Sequence, residues 1–359
     1  MEQSKQVFAF IGSYAEADTP SVYSCAYDEQ TGSLKLLHQV DGLKNPTFLE
    51  VHGEKARLYA ITESVNEAGQ KCGAAAAFAV NPSTGEMSLL NKEITLPATT
   101  CHIALDHTYT NAIVASYHGG MVGVSPILED GKLGPISDIK QHEGKSILPA
   151  QTQPRAHSVF IDANNRYAVA CDLGADKLII YKLNIDNHRL IPHSITEVAP
   201  GSGPRHFAFH PSKPYGYVIN ELGSTVMAFH YDAEHGTLTE LQSVSTLPEN
   251  FAGENGTADI HLSNDGKFLY GSNRGHDSIV VYAIDEATGK LEVVEYTSTL
   301  GGHPRNFGLS PDNRFVLVAN RDGNNIVTFA RDAATGKLTA TGSELNVSKP
   351  VCIKFSTLG

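Results

Sequence analysis

The chain has 359 residues, a formal net charge of −12 and a pI near 5.7. Such an acidic balance argues against nucleic acid or an anionic membrane surface as partner. Its five cysteines (Cys25, Cys72, Cys101, Cys171 and Cys352) include no Cys-x-x-Cys pair, which fits reduced thiols in a cytosol better than a disulfide framework.

In chain order, the polar start from Met1 to Val7 lacks a signal-type apolar stretch. Val7 to Tyr14 then reads as a strand. A turn follows at Asp28-Glu29-Gln30-Thr31-Gly32-Ser33-Leu34, and the same phrase recurs roughly every 50 residues. Copies stand at Asn81–Met87, Glu129–Leu133, Ala233–Leu238, Glu286–Leu291 and Ala333–Leu338, with a degenerate one at Asp186–Leu190. The apolar run Ala74 to Val80 is far too short to span a membrane. Between copies, residues 204–244 give four short strands: 205–211, 215–220, 225–231 and 237–244. The order repeats at 259–262, 268–274, 278–284 and 290–296, and again at 305–309, 315–321, 325–331 and 337–342. Lys349 to Phe355 resembles a first strand with no second after it, while Val7 to Tyr14 resembles a second with no first before it. Pairing these ends closes a ring. The expected fold is all-β: one domain over residues 1–359, a seven-bladed β-propeller with four antiparallel strands (a to d) per blade. The recurring glycine phrase is then the c–d hairpin, and its Leu or Met packs between blades.

In this topology the start of strand a and the end of strand b share one rim beside the central channel. Starts of a supply His102, Arg155, His157, Arg205, His206, Asp259, Arg305 and Asn306. Ends of b supply Tyr14, Glu63, Tyr117, His118, Asp172, Glu221, Arg274 and Arg321. The longer loops, 66–72, 141–154 and 248–257, fall on the same face, as expected of a binding face. Five arginines in an acidic protein suggest a basin for an anionic small molecule. The plainer alternative pairs them with Glu63, Asp172, Glu221 and Asp259 as structural ion pairs. No P-loop, metal-ligand spacing or Trp-Asp repeat appears, so neither cofactor nor metal is expected.

The phrases Gly203-Pro204-Arg205-His206, Asn220-Glu221, Ser272-Asn273-Arg274-Gly275 and His303-Pro304-Arg305-Asn306 resemble the seven-bladed lactonase family, and the resemblance covers essentially the whole chain. That family holds the propeller-type 6-phosphogluconolactonases and is related to the carboxy-muconate lactonizing enzyme. The resemblance implies a phosphorylated or carboxylated sugar lactone as substrate and a catalytic group of His157, Arg205, Glu221 and Arg274. Arg155, His206, Arg305, Asn306, Asp172, Glu63, His102 and Tyr117 are expected to extend the binding site. Asp259 departs from the family pattern, where Glu is expected. A muconate-type cycloisomerase and a non-catalytic binding propeller are the alternatives. The expected partner is a small anionic lactone in the cytoplasm, with no nucleic acid and no membrane; the oligomeric state stays open, a monomer included.

Overall fold

Strand alternation decides where each side chain goes, because successive residues of a strand face opposite sides of its sheet. In Val7–Ser13, Val7, Ala9 and Ile11 pack toward the preceding blade, while Phe8 and Phe10 pack toward the following one. Tyr167–Asp172 divides in the same way, with Tyr167, Val169 and Cys171 on one side and Ala168 and Ala170 on the other. Both faces are buried, so these strands read as continuous apolar runs. The hydrophobic core therefore lies between blades rather than at one centre.

The computed structural model describes residues 6–359, and the Met1 to Lys5 part of the polar amino terminus lies outside them. Seven four-stranded antiparallel sheets form the ring. Blade 1 pairs Pro350–Thr357 with Val7–Ser13, so the chain ends do close the ring. The inner strands of blades 2 to 7 are Leu49–His52, His102–Leu105, Ala156–Ile161, Pro204–Phe209, Gly256–Leu262 and Pro304–Leu309. Each inner strand touches the next around the axis. Outer strands run further than their sequence suggests: Leu338–Asn346 and Leu291–Ser298 extend past the expected ends. Their exposed, polar faces carry no hydrophobic signal to mark where pairing stops.

The glycine phrase turns out to latch neighbouring blades together. Gly289 has φ +69°, and a Cβ there would lie 2.6 Å from the ring of Tyr215 in the preceding blade. Gly32 sits likewise on Phe315, Gly236 on Tyr167 and Gly336 on Phe268. Only glycine supplies both the left-handed turn and the missing side chain. The hydroxyls of Tyr59, Tyr217 and Tyr270 donate to the carbonyls of Gly131, Gly289 and Gly336 across the same seam. In the degenerate copy, His188 replaces glycine at φ +52°, and Asn111 replaces the aromatic ring. His188 Nδ1 and Asn111 Oδ1 meet at 2.7 Å, so a hydrogen bond substitutes for the packing. The leucines and Met87 that end the phrases are largely buried, as expected.

Candidate active site

The inner strands do not pair uniformly with their neighbours. Register slips between Ala156 and Ser158, Pro204 and His206, and Pro304 and Asn306. Each slip is a β-bulge, which leaves one residue unpaired and re-aims its side chain. The bulged residues are His157, Arg205 and Arg305, and all three turn toward the axis. Matching registers put Thr47 and Cys101 at the same level in blades 2 and 3 and Val351 in blade 1. These six line a narrow throat. The next residue along each inner strand forms a deeper layer: Phe48, His102, His206, Asp259 and Asn306.

Above the throat opens a cavity of about 270 Å³. Its walls include Tyr14, Tyr117 and Glu221, each the residue just past its strand-b ladder, and Glu63, still within its strand and paired with Gly73, together with His157, Cys101 and Arg305. Asn45, Thr47, Thr99, Thr100 and His118 complete the lining.

Glu221 is the electrostatic pivot. Its Oε2 lies 2.8 Å from Arg205 Nε and 3.0 Å from Arg274 Nη2. Arg205 is 2% exposed and donates Nη1 to the Ala258 carbonyl. Arg274 donates to the carbonyls of Gly256 and Thr257. Burial alone would raise the Glu221 pKa, but Arg274, Arg205 and Arg305 override it and hold the carboxyl below its usual 4.5. Burial and the charges of Arg305 and Arg274 push Arg205 down to about 9, still protonated at neutral pH. Arg305 packs over the Tyr14 ring at 5.7 Å and, among the described residues, bridges to no carboxylate.

His157 is 4% exposed, and its Nδ1 has no hydrogen-bond partner among the described residues. Burial, then the charge of Arg205, holds the imidazole well below its usual 6.5, so it is neutral at physiological pH. Cys101 donates its Sγ–H to the His157 carbonyl at 3.1 Å, and burial lifts the thiol to about 11. A thiol held protonated is no nucleophile.

Of the expected residues, His157, Glu221, Arg305, Tyr117 and Glu63 line the cavity, Arg205 lines the throat below it, and His206 and Asn306 lie in the layer beneath the throat. Arg274 backs Glu221 without lining the cavity. Arg155 sits at the rim, 4.9 Å from the Tyr117 centroid. Glu63 accepts from Asn45 Nδ2. Two expectations need correcting. Asp172 is fully buried and bonds to His142 Nδ1 and to the backbone N–H groups of Arg155 and Ala175, so it clips a loop and cannot touch substrate. It precedes the mouth position by one residue, Leu173 being the equivalent of Glu221, and one residue along a strand reverses the face. His102 lies in the deeper layer, 1% exposed and packed at 4.1 Å on Phe48. It borders a separate pocket toward the opposite end of the channel. Sequence reasoning missed Asn45, Thr47, Thr99, Thr100 and Cys101. No sequence signal marks Thr47 and Cys101, because the level they share with the bulged residues follows from register alone.

Among the described residues no helix is long and apolar enough to cross a membrane, and no group of three or more His, Cys, Asp or Glu could hold a metal ion. The family model for the seven-bladed β-propeller lactonases matches residues 8–355. A 6-phosphogluconolactonase of Bacillus subtilis is 36% identical over 347 residues, covering 96% of this chain and 97% of its own. A 6-phosphogluconolactonase of Formosa agariphila is 35% identical over 308 residues, 84% of this chain and 85% of that one. Among solved structures, the periplasmic gluconolactonase of Pseudomonas aeruginosa superposes with a TM-score of 0.91 at 31% identity, covering 99% of this chain and 100% of that one.

Proposed function

This chain belongs to the seven-bladed lactonase family, and we propose that it hydrolyses a phosphorylated sugar lactone, most specifically 6-phosphogluconolactone, at the channel mouth. The observation that carries this reading is the Glu221 carboxylate, held by two buried guanidiniums and facing a cavity that also presents the unbridged guanidinium of Arg305. The names of the relatives support the phosphorylated substrate.

Lactone hydrolysis needs a proton acceptor for water, a donor for the developing oxyanion and a grip on the anionic end. Both arginines bind Oε2, which leaves Glu221 Oε1 without a protein donor among the described residues and able to take the water's proton. The water oxygen bonds to the lactone carbonyl carbon, and the resulting oxyanion faces a guanidinium. The intermediate then collapses, the ring C–O bond breaks, and the departing oxygen takes the proton held by Glu221, which gives the open hydroxy acid and restores the carboxylate. A carboxylate held below its usual pKa is a weak base, so Glu221 contributes at the lower end of the typical range of about 10²–10⁴-fold. Neutral His157 orients the water or the carbonyl. Arg205 through Nε and Arg274 through Nη2 position Glu221, and Arg305, with Arg155 at the rim, grips the phosphate.

Glu221→Gln and His157→Asn, assayed separately on 6-phosphogluconolactone above its spontaneous rate, test the assignment. Glu221→Gln should lose about 100-fold in kcat. Full activity in both variants would refute it.

A further inference from the structure

Beneath the throat lies a buried polar chain that the proposed mechanism does not use. Arg205 Nη1 approaches His206 Nε2 at 3.3 Å. A guanidinium can only donate, so Nε2 must accept. His206 Nδ1 then carries the proton and donates it to Asp259 Oδ1 at 2.7 Å. Asp259 is 2% exposed, and its carboxylate collects further donors: the backbone N–H groups of Ile260 and Phe307, Asn306 Nδ2 and His261 Nε2. An acceptor so fully donated to stays ionised, and its pKa is lowered despite burial by His261 and His206. Burial and Arg205 hold His206 down near 4, hence neutral.

We infer that Asp259 and His206 are positioning residues for the reaction at the mouth. Asp259 fixes His206 as its Nδ1–H tautomer, which presents a lone pair to Arg205 and locks Arg205 Nε onto Glu221. This inference rests on Glu221 acting on the substrate. Asp259 lies in the layer below the bulged ring, out of reach of a substrate in the cavity, and so acts only through its neighbours. Groups that orient a functional side chain in this way typically change activity by about 10- to 100-fold when removed.

The test uses Asp259→Asn, His206→Gln, His206→Leu and Glu221→Gln in the full-length protein. Histidine ¹⁵N spectra report the His206 tautomer, and steady-state kinetics on 6-phosphogluconolactone report kcat and KM. Wild type should show the Nδ1–H form. Asp259→Asn should lose that signature and about 10- to 100-fold in kcat, with KM changed by less than about threefold. His206→Gln keeps an acceptor facing Arg205 and should retain most activity, whereas His206→Leu should fall with Asp259→Asn. If Asp259→Asn does not fold, the His206 pair decides alone. A wild-type Nε2–H signature, or equal rates for His206→Leu and wild type while Glu221→Gln is impaired, would overturn the inference and leave the proposed function standing. Full activity in Glu221→Gln would instead remove the reading on which the inference rests.

Discussion

Removing the Glu221 carboxylate should destabilise the protein as well as slow it. Glu221→Ala leaves Arg205 and Arg274 buried with no carboxylate partner, only backbone carbonyls and, for Arg205, His206 Nε2. Side-chain exposures are 2% for Arg205 and 10% for Arg274, so water cannot fully replace the lost acceptor. Breaking a buried pair by deleting one partner costs about 3–5 kcal/mol. Unfolding entropy near 60 °C is about 2.1 cal/mol/K per residue, which over 359 residues gives about 0.75 kcal/mol/K. Melting should therefore fall by about 4–7 °C at pH 7. Glu221→Gln keeps one acceptor oxygen and should fall less. The folded pKa of Glu221 is depressed, so its contribution is complete above 4.5 and is lost as pH falls through the folded value. The gap between wild type and variant should close in acid. Calorimetry at pH 7 and at successively lower pH below 4.5 follows the closing. Equal melting temperatures at pH 7, or a gap that widens in acid, would refute the reasoning.

Other outcomes follow from the same geometry. Arg305→Met should lower kcat/KM for 6-phosphogluconolactone by about 10- to 150-fold, the worth of one hydrogen bond to a charged group, and affect the unphosphorylated lactone less. Parallel steady-state assays decide it. With the unphosphorylated lactone, which brings no phosphate titrating near pH 6, the kcat/KM profile should show no titration between pH 5 and 8, because His157 is held neutral, and its acid limb should lie below 4.5. A limb near 6.5 would point to a histidine base instead. Gly289→Ala should lower the melting temperature more than Gly42→Ala, since both have positive φ but only Gly289 faces a ring. Asn111→Ala should cost about 1 kcal/mol by cutting the His188 latch, measured by denaturant midpoint.

The repeated glycine phrase made the fold readable because it carries backbone chemistry. A left-handed turn pressed against an aromatic ring tolerates little besides glycine, so the phrase survives in copy after copy. Where it fails, at His188, the packing has been exchanged for a hydrogen bond that no turn pattern predicts. The rim was readable for the same reason: strand phase puts starts of a and ends of b together. Phase is only as good as the register, however. Asp172 was placed one residue off, and a strand turns that error into the opposite face. The bulges were hidden, since an unpaired residue leaves no mark in hydrophobic alternation. They alone separate Arg205, in the ring at the throat, from His206, in the layer below. Pairing was hidden too: Arg205 and Arg274 form the structural ion pair with Glu221, while Arg305 lines the cavity and, among the described residues, bridges to no carboxylate.

The most direct test of the central claim is the ratio of kcat/KM for 6-phosphogluconolactone to that for the unphosphorylated lactone, each above its spontaneous hydrolysis. A carboxylate beside an unbridged guanidinium predicts clear catalysis and a preference for the phosphorylated substrate of about 10-fold or more, the least that one charged hydrogen bond contributes. Equal values would contradict phosphate recognition at Arg305, and no acceleration of either substrate would contradict the lactonase reading of the mouth.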